Sequence, residues 1–323
     1  MALSYEFSIG SVRAREKSLF TNSDIEQMLA QKNIEGLCRF LTDKGYGDGK
    51  TVDEIIDNHY KSLWAYFEST APDFDIFKPF IILNDVHNLK VVLKGIMSNR
   101  EYTDLLIKPC SIDFETLKKA VENRKFSLLP TWLEKPADEA YEVLAHTGDA
   151  RMSDALTDSA VMKEILEIAK KSKSEFLLKY FNTLVFYNNI KIAIRASRTG
   201  TGRDYLLKAL CDVEAFRKNE IINASLKGIE SLIEQLSKYS EYDCTQAIEE
   251  YKSSPSAFER FVDNKLIKMA KDSCKRTSEG MDPLIGYYLG SDAEKKVIHI
   301  IASGIRTNTD TDSIRERLRE IYG

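Results

Sequence analysis

Gly45-Tyr46-Gly47-Asp48-Gly49-Lys50-Thr51 places glycines, a lysine and a hydroxyl in the order a phosphate-cradling loop uses. Such a loop needs four residues between its first glycine and Gly-Lys-Thr, and a strand leading into it. Lys44 stands where that first glycine belongs, and an amphipathic helical pattern precedes the stretch. It reads as a flexible turn, with Thr51 capping the helix that follows. Gly200-Thr201-Gly202 lacks a third glycine and a preceding strand, so it carries no dinucleotide fingerprint. The four histidines, His59, His87, His146 and His299, lie in separate segments without a second ligand three or four residues away. Cys38, Cys110, Cys211, Cys244 and Cys274 are scattered, with no CxxC pair, so buried free thiols in a reducing compartment are expected. No nucleophile-elbow pattern appears. No catalytic residue, cofactor or metal is expected.

Basic residues offer a different kind of chemistry. Lys90 and Lys94, Lys191 and Arg195, and His299 and Ser303 are each four apart, so each pair shares one edge of a helix. Their long chains either snorkel from a buried helix to solvent or form a polar contact surface presented three times. Arg13 and Arg15 sit in a charge-rich segment near the start. With Lys90, Lys94, Lys191 and Arg195 they are the candidate partner contacts. Arg306, Arg315, Arg317 and Arg319, set against Asp310, Asp312, Glu316 and Glu320, make either a solvated face or a docking surface for an acidic partner.

The elements that position these residues repeat. Lys78–Gly95 recurs as Lys179–Ala196, 101 residues on, and more weakly as Tyr287–Gly304, a further 108 on. Each copy has apolar residues at i, i+3 and i+4: Leu89, Val92, Leu93; Ile190, Ala193, Ile194; Ile298, Ile301, Ala302. Apolar flanks on other faces make this the central helix of its unit. A second landmark moves with it: Asp57-Asn58, Asp158-Ser159 and Asp263-Asn264, spaced by 101 and 105 residues. The reading is three homologous helical domains, 1–108, 109–202 and 203–323. Trp64, Tyr66, Phe67, Tyr180, Phe181, Phe186 and Tyr187 are their core aromatics.

Composition fits a soluble globular chain: 323 residues, 43% hydrophobic, 30% charged. Forty-six basic against 50 acidic residues give a net charge of −4, which leaves no nucleic-acid footprint. No apolar run is long enough to span a bilayer and no signal peptide is recognisable, so a cytosolic protein without direct membrane insertion is expected. Met1–Ile9 reads as a short extended arm and Ser11–Phe20 as a helical segment. Ser23 with Glu26 has capping-box spacing, as does Thr51 with Glu54. Ser111 reads as the cap of a helix through Lys125, and Pro136 as a first-turn residue. A long helix is expected over Arg203–Arg217, others around Ile221–Leu236 and Cys244–Lys252, and a terminal one over Asp312–Tyr322. Apart from the arm, no segment alternates like a strand, so the fold class is all-α.

These residues resemble a known family. Ser11-Val-Arg-Ala-Arg-Glu16 looks like its opening helix, and Asn88-Leu-Lys and Asn189-Ile-Lys like its Asn-apolar-basic signature. Pro283-Leu-Ile-Gly-Tyr-Tyr288, Glu294–Gly304 and Ile314-Arg-Glu-Arg-Leu-Arg-Glu-Ile-Tyr322 are similar to its C-terminal signature. The family is the C subunit of the V-type (archaeal and bacterial) ATP synthase, equivalent to the d subunit of the eukaryotic V-ATPase. The chain departs from it at Val297 and His299, where Asn and Arg are usual. The resemblance implies a funnel of three helical domains about a pseudo-threefold axis. It would be a non-catalytic socket, with the membrane rotor ring at one end and the central shaft subunits at the other. It would lie on the cytoplasmic face of the membrane and reach it through the ring. A helical-repeat scaffold for other protein partners is the alternative, although solenoid repeats are much shorter than a hundred residues. An enzyme using the Gly45–Thr51 turn is the third class, and nucleotide binding abolished by Lys50→Ala would identify it.

Overall fold

The computed structural model describes residues 4–323, and among them there is no strand. The helices in chain order are α1 (Tyr5–Glu16), α2 (Asn22–Leu29), α3 (Ile34–Asp43), α4 (Val52–Thr70), α5 (Lys78–Ser98), α6 (Phe114–Glu122), α7 (Thr131–Thr147) and α8 (Ala150–Lys171). They continue with α9 (Glu175–Thr199), α10 (Arg203–Ala209), α11 (Lys218–Lys227), α12 (Ile229–Leu236), α13 (Cys244–Ser253), α14 (Pro255–Cys274), α15 (Asp282–Arg306) and α16 (Thr311–Arg315). The all-α class expected from the sequence is what forms. Two compact units result, one of Met1–Ile76 with Gln246–Gly323 and one of Phe77–Thr245. Packing thus groups the chain in two, whereas the sequence reading expected three domains.

The three repeated stretches are the long helices α5, α9 and α15, and all nine apolar residues at the repeated spacing are buried. Burying each large one contributes about 1.5–3 kcal/mol, so these faces dominate their units. In the 77–245 unit, α5 packs on α6 and α8, and α9 packs on α8, α10, α11 and α12. Phe80 meets Tyr180 and Phe181 at ring distances of 6.2 and 5.2 Å, and Phe186 stacks on Tyr242 at 3.8 Å. In the other unit, α15 packs on α14 and also on α1, α3 and α4. The last of the three is therefore housed by helices from the start of the chain. Trp64 and Tyr288 hold that seam at 5.2 Å. All seven aromatics read as core are buried.

Several expectations are corrected. Met1–Leu3 lie outside the described residues, but the rest of the expected arm is helix. Ser4 caps α1 by accepting from the Phe7 amide, and Ser8, Ile9 and Val12 bury its inner face. The second helix is capped by Thr21 with Asp24, not by Ser23 with Glu26. Asp113, not Ser111, caps α6. Pro136 lies inside α7 rather than in its first turn. Gly228, at φ 114°, separates α11 from α12. The expected Arg203–Arg217 helix stops at Ala209, because both backbone groups of Cys211 are taken by a side chain of α9. The expected terminal helix stops at Arg315. Beyond it the Glu320 amide donates to Asn264, and Tyr322 is fully buried.

Helix ends explain one repeated glycine. Gly95 occupies the end of α5, and the chain then folds back so that Tyr102 lies directly over it. A Cβ on Gly95 would come closer than 3 Å to the Cβ and ring of Tyr102. Gly95→Ala is expected to cost about 1–3 kcal/mol in urea denaturation. The penalty should shrink in a Tyr102→Ala background, which removes the ring but keeps the Cβ. An equal penalty in both backgrounds would mean that the glycine is required for another reason.

Candidate functional site

Buried polar side chains on the long helices carry the most specific geometry in the molecule. Asn88 is fully buried on α5; its Oδ1 accepts from the Ile107 amide and its Nδ2 donates to the Ile107 carbonyl, both at 2.9 Å. Asn189, its counterpart on α9, does the same to Cys211 at 2.9 and 2.8 Å. Asp85 is also fully buried and accepts from the amides of Ser111 at 2.7 Å and Ile112 at 3.1 Å, and from the Ser111 hydroxyl. Burial pushes its carboxyl above the ordinary range, against the pull of the Ser111 and Ile112 bonds.

The repeat places Glu294 of α15 at the position of Asp85. It is buried and accepts from the Phe20 amide, just ahead of α2. Burial holds its pKa up, from 4.5 to about 8. Phe186 stands at this position in the middle copy and packs on Phe216, Tyr239 and Tyr242 instead.

Of the expected contact residues, Lys90 and Lys94 meet carboxylates of α8. Lys90 lies 2.6 Å from Asp158, and Lys94 lies 2.7 and 2.8 Å from the two oxygens of Asp154. The basic edge of one copy thus meets the Asp landmark of the next. Both pairs are partly exposed, so each contributes about 1 kcal/mol or less. Lys191 is half-buried and Arg195 exposed. Arg13 donates to Glu16 and to the carbonyls of Cys274 and Thr277 at 2.7 and 2.6 Å. Arg15 lies 3.9 Å over the Tyr66 ring. The structure therefore brings Lys90 and Lys94 together on one edge of α5 and seats Arg13 and Arg15 within the other unit. The landmark Asp263 binds Lys296 at 2.9 Å and Arg319 at 3.1 Å.

The Gly45–Thr51 turn is a helix end. The Tyr46 amide bonds the Leu41 carbonyl and the Gly45 amide that of Thr42, with Gly45 in the left-handed region at φ 73°. Thr51 caps α4 as expected, by accepting from the Glu54 amide. His59 stacks on Tyr46 at 3.8 Å, and burial lowers its pKa to about 4. His87 is exposed near the Leu105 carbonyl, at 3.0 Å. Cys211, Cys244 and Cys274 are buried free thiols as expected, while Cys38 and Cys110 are only half-buried. No cluster of three metal-ligating side chains occurs among the described residues.

Comparison with known proteins gives a match to the ATP synthase (C/AC39) subunit family over residues 8–317. The chain belongs to that family. It is 23% identical to the C subunit of the A-type ATP synthase of Methanocaldococcus jannaschii, over 97% of this chain and 86% of that one. It is 20% identical to the C subunit of the V-type sodium ATPase of Enterococcus hirae, over 96% and 97% of the two chains. The C subunit of the A-type ATP synthase of Methanobrevibacter smithii is 23% identical over 92% and 83%. The family match runs from within α1 to the segment that follows α16. No helix among the described residues is long and apolar enough to cross a membrane.

Sequence reasoning named Asn88 and Asn189 as part of the repeat but missed what they bind. It missed the Asp85/Glu294 pair altogether. A polar residue recurring within an otherwise apolar helix was the available signal, since such groups are buried only when satisfied. Glu294 has a measurable consequence. Its folded pKa exceeds the unfolded value of 4.5, so its contribution is complete below about 4.5 and is lost as pH rises through about 8. Urea denaturation across this range is expected to show wild-type stability falling more steeply with pH than that of Glu294→Gln. Equal slopes would show that Glu294 ionises alike in both states.

Proposed function

We propose that this chain is the central-stalk connector of a rotary ATPase or ATP synthase. In this role it joins the soluble shaft subunits to the membrane rotor ring and performs no chemistry of its own. The observation that carries the reading is the family match along nearly the whole chain to C subunits of A-type ATP synthases and a V-type sodium ATPase. A connector has to pass torque between partners without deforming. Long helices buried on most of their surface, with polar side chains locked onto backbone, suit that task.

The sequence triplication supports a pseudo-threefold socket made of the segments 1–108, 109–202 and 203–323. Within the 77–245 unit, α5 and α9 each pack on the short helices that follow them. Within the other unit, α15 packs on the chain's first helices. A cyclic order of this kind offers similar side chains to successive copies of a ring subunit. The seat on the cytoplasmic face of the membrane follows from the same reading, with the ring supplying the membrane contact.

Reconstitution of the complex with and without this chain tests the role. Without it, the soluble motor is expected to hydrolyse ATP while ion transport is lost and the ring no longer co-purifies. Coupled transport in its absence would overturn the reading. In the same assay, Arg195→Glu is expected to weaken assembly with the fold intact. Lys90→Glu and Lys94→Glu should instead lower the stability of the chain itself, since their partners are Asp158 and Asp154.

A further inference from the structure

The last thirty residues contain four arginines, and three of them are committed. Arg306 lies 3.2 Å from Asp53. Arg315 pairs with Glu26 at 2.7 Å and with Asp312 at 2.8 Å. Arg319 donates to Asp263 at 3.1 Å and to the Arg317 carbonyl at 2.7 Å, which fixes the orientation of its guanidinium. The Arg317 side chain alone has no hydrogen bond or ion pair among the described residues.

Arg317 and Arg319 line a cavity of about 300 Å3 together with His299, Ser303, Thr307 and Ser256. The His299 Nδ1 lies 3.8 Å from Asp53, which leaves Nε2 available to a second partner. Asp53 is shared between His299 and Arg306, and Asp263 between Lys296 and Arg319. Asp53, Asp263 and Asp292 thus answer Arg306, Arg319 and Lys296, and nothing answers the Arg317 side chain among the described residues. The Thr307 hydroxyl donates to the Ser303 carbonyl at 2.9 Å, but the unanswered charge and planar fork of Arg317, with the Ser256 and Ser303 hydroxyls, match a tetrahedral oxyanion. Ser256 adds the N-terminal turn of the twenty-residue α14, whose partial positive charge has the same sign.

We propose that this cavity is a binding site for a phosphate group, with Arg317 as the principal ligand and Arg319 and the Ser256 and Ser303 hydroxyls orienting the oxyanion. The phosphate could be free or carried on a lipid headgroup, since both present the same oxygens. The proposal does not depend on the connector role and is tested on the isolated full-length chain.

Calorimetric titration with inorganic phosphate at constant ionic strength is the first arm. Co-flotation with phosphatidylglycerol vesicles, scored against neutral phosphatidylcholine vesicles, is the second. Saturable binding in either arm is expected, weakened about tenfold or more by Arg317→Ala and partly retained by Arg317→Lys. Arg39→Ala, which removes an equal charge from an exposed pair with Glu35, should leave binding unchanged. Binding in the first arm assigns free phosphate; binding in the second arm alone assigns a headgroup. The proposal is overturned if wild type and Arg317→Ala behave alike in both arms, or if Arg39→Ala weakens binding as much as Arg317→Ala does.

Discussion

A polar side chain buried on an apolar helix must be satisfied, and here it is satisfied by backbone that would otherwise be loose. Asn88 takes both backbone groups of Ile107, Asn189 both of Cys211, Asp85 the amides ahead of α6, and Glu294 the amide ahead of α2. Leaving such a group unpaired costs roughly 1–3 kcal/mol, so each long helix dictates where a particular loop must lie. The extended path at Leu210 and the early end of α10 follow from this demand. Short-helix packing then follows, because the short helices are tethered to those loops.

The same demand explains which features were legible in the sequence. Helical periodicity marked the inner face of α5, α9 and α15, since that face is decided within one helix by spacing. Core aromatics and the Thr51 cap were equally local. What escaped were choices made between segments. Ser23 and Ser111 had acceptable capping chemistry, yet Thr21 and Asp113 took the caps. Ser111 was instead held by Asp85 across 26 residues of chain. The final segment has helical composition, but Asn264 and the buried seat of Tyr322 hold it out of a helix. Two landmarks read separately, the basic edge of α5 and the Asp of α8, proved to be partners. Pattern locates such residues, but only packing says what they bind.

The ionisable groups are in keeping with the mechanical role proposed for the chain. His59 is held neutral by burial, and burial likewise raises the Cys211 and Cys274 thiols and the Tyr46 and Tyr60 phenols. These shifts come first from desolvation, not from neighbouring charges poised for proton transfer, and they accompany close packing. The residues of α15 follow the same logic. Val297 cannot grip backbone as Asn88 and Asn189 do, and one turn earlier Glu294 holds Phe20 instead.

The central claim is that these buried side chains fix the loops as firmly as the helices they arise from. Native-state hydrogen exchange at the amides of Ile107, Ser111, Ile112, Cys211 and Phe20 tests it most directly. Protection close to that of the α5, α9 and α15 interiors, lost only on global unfolding, is the expected result. Exchange at the rate of open surface loops would contradict it.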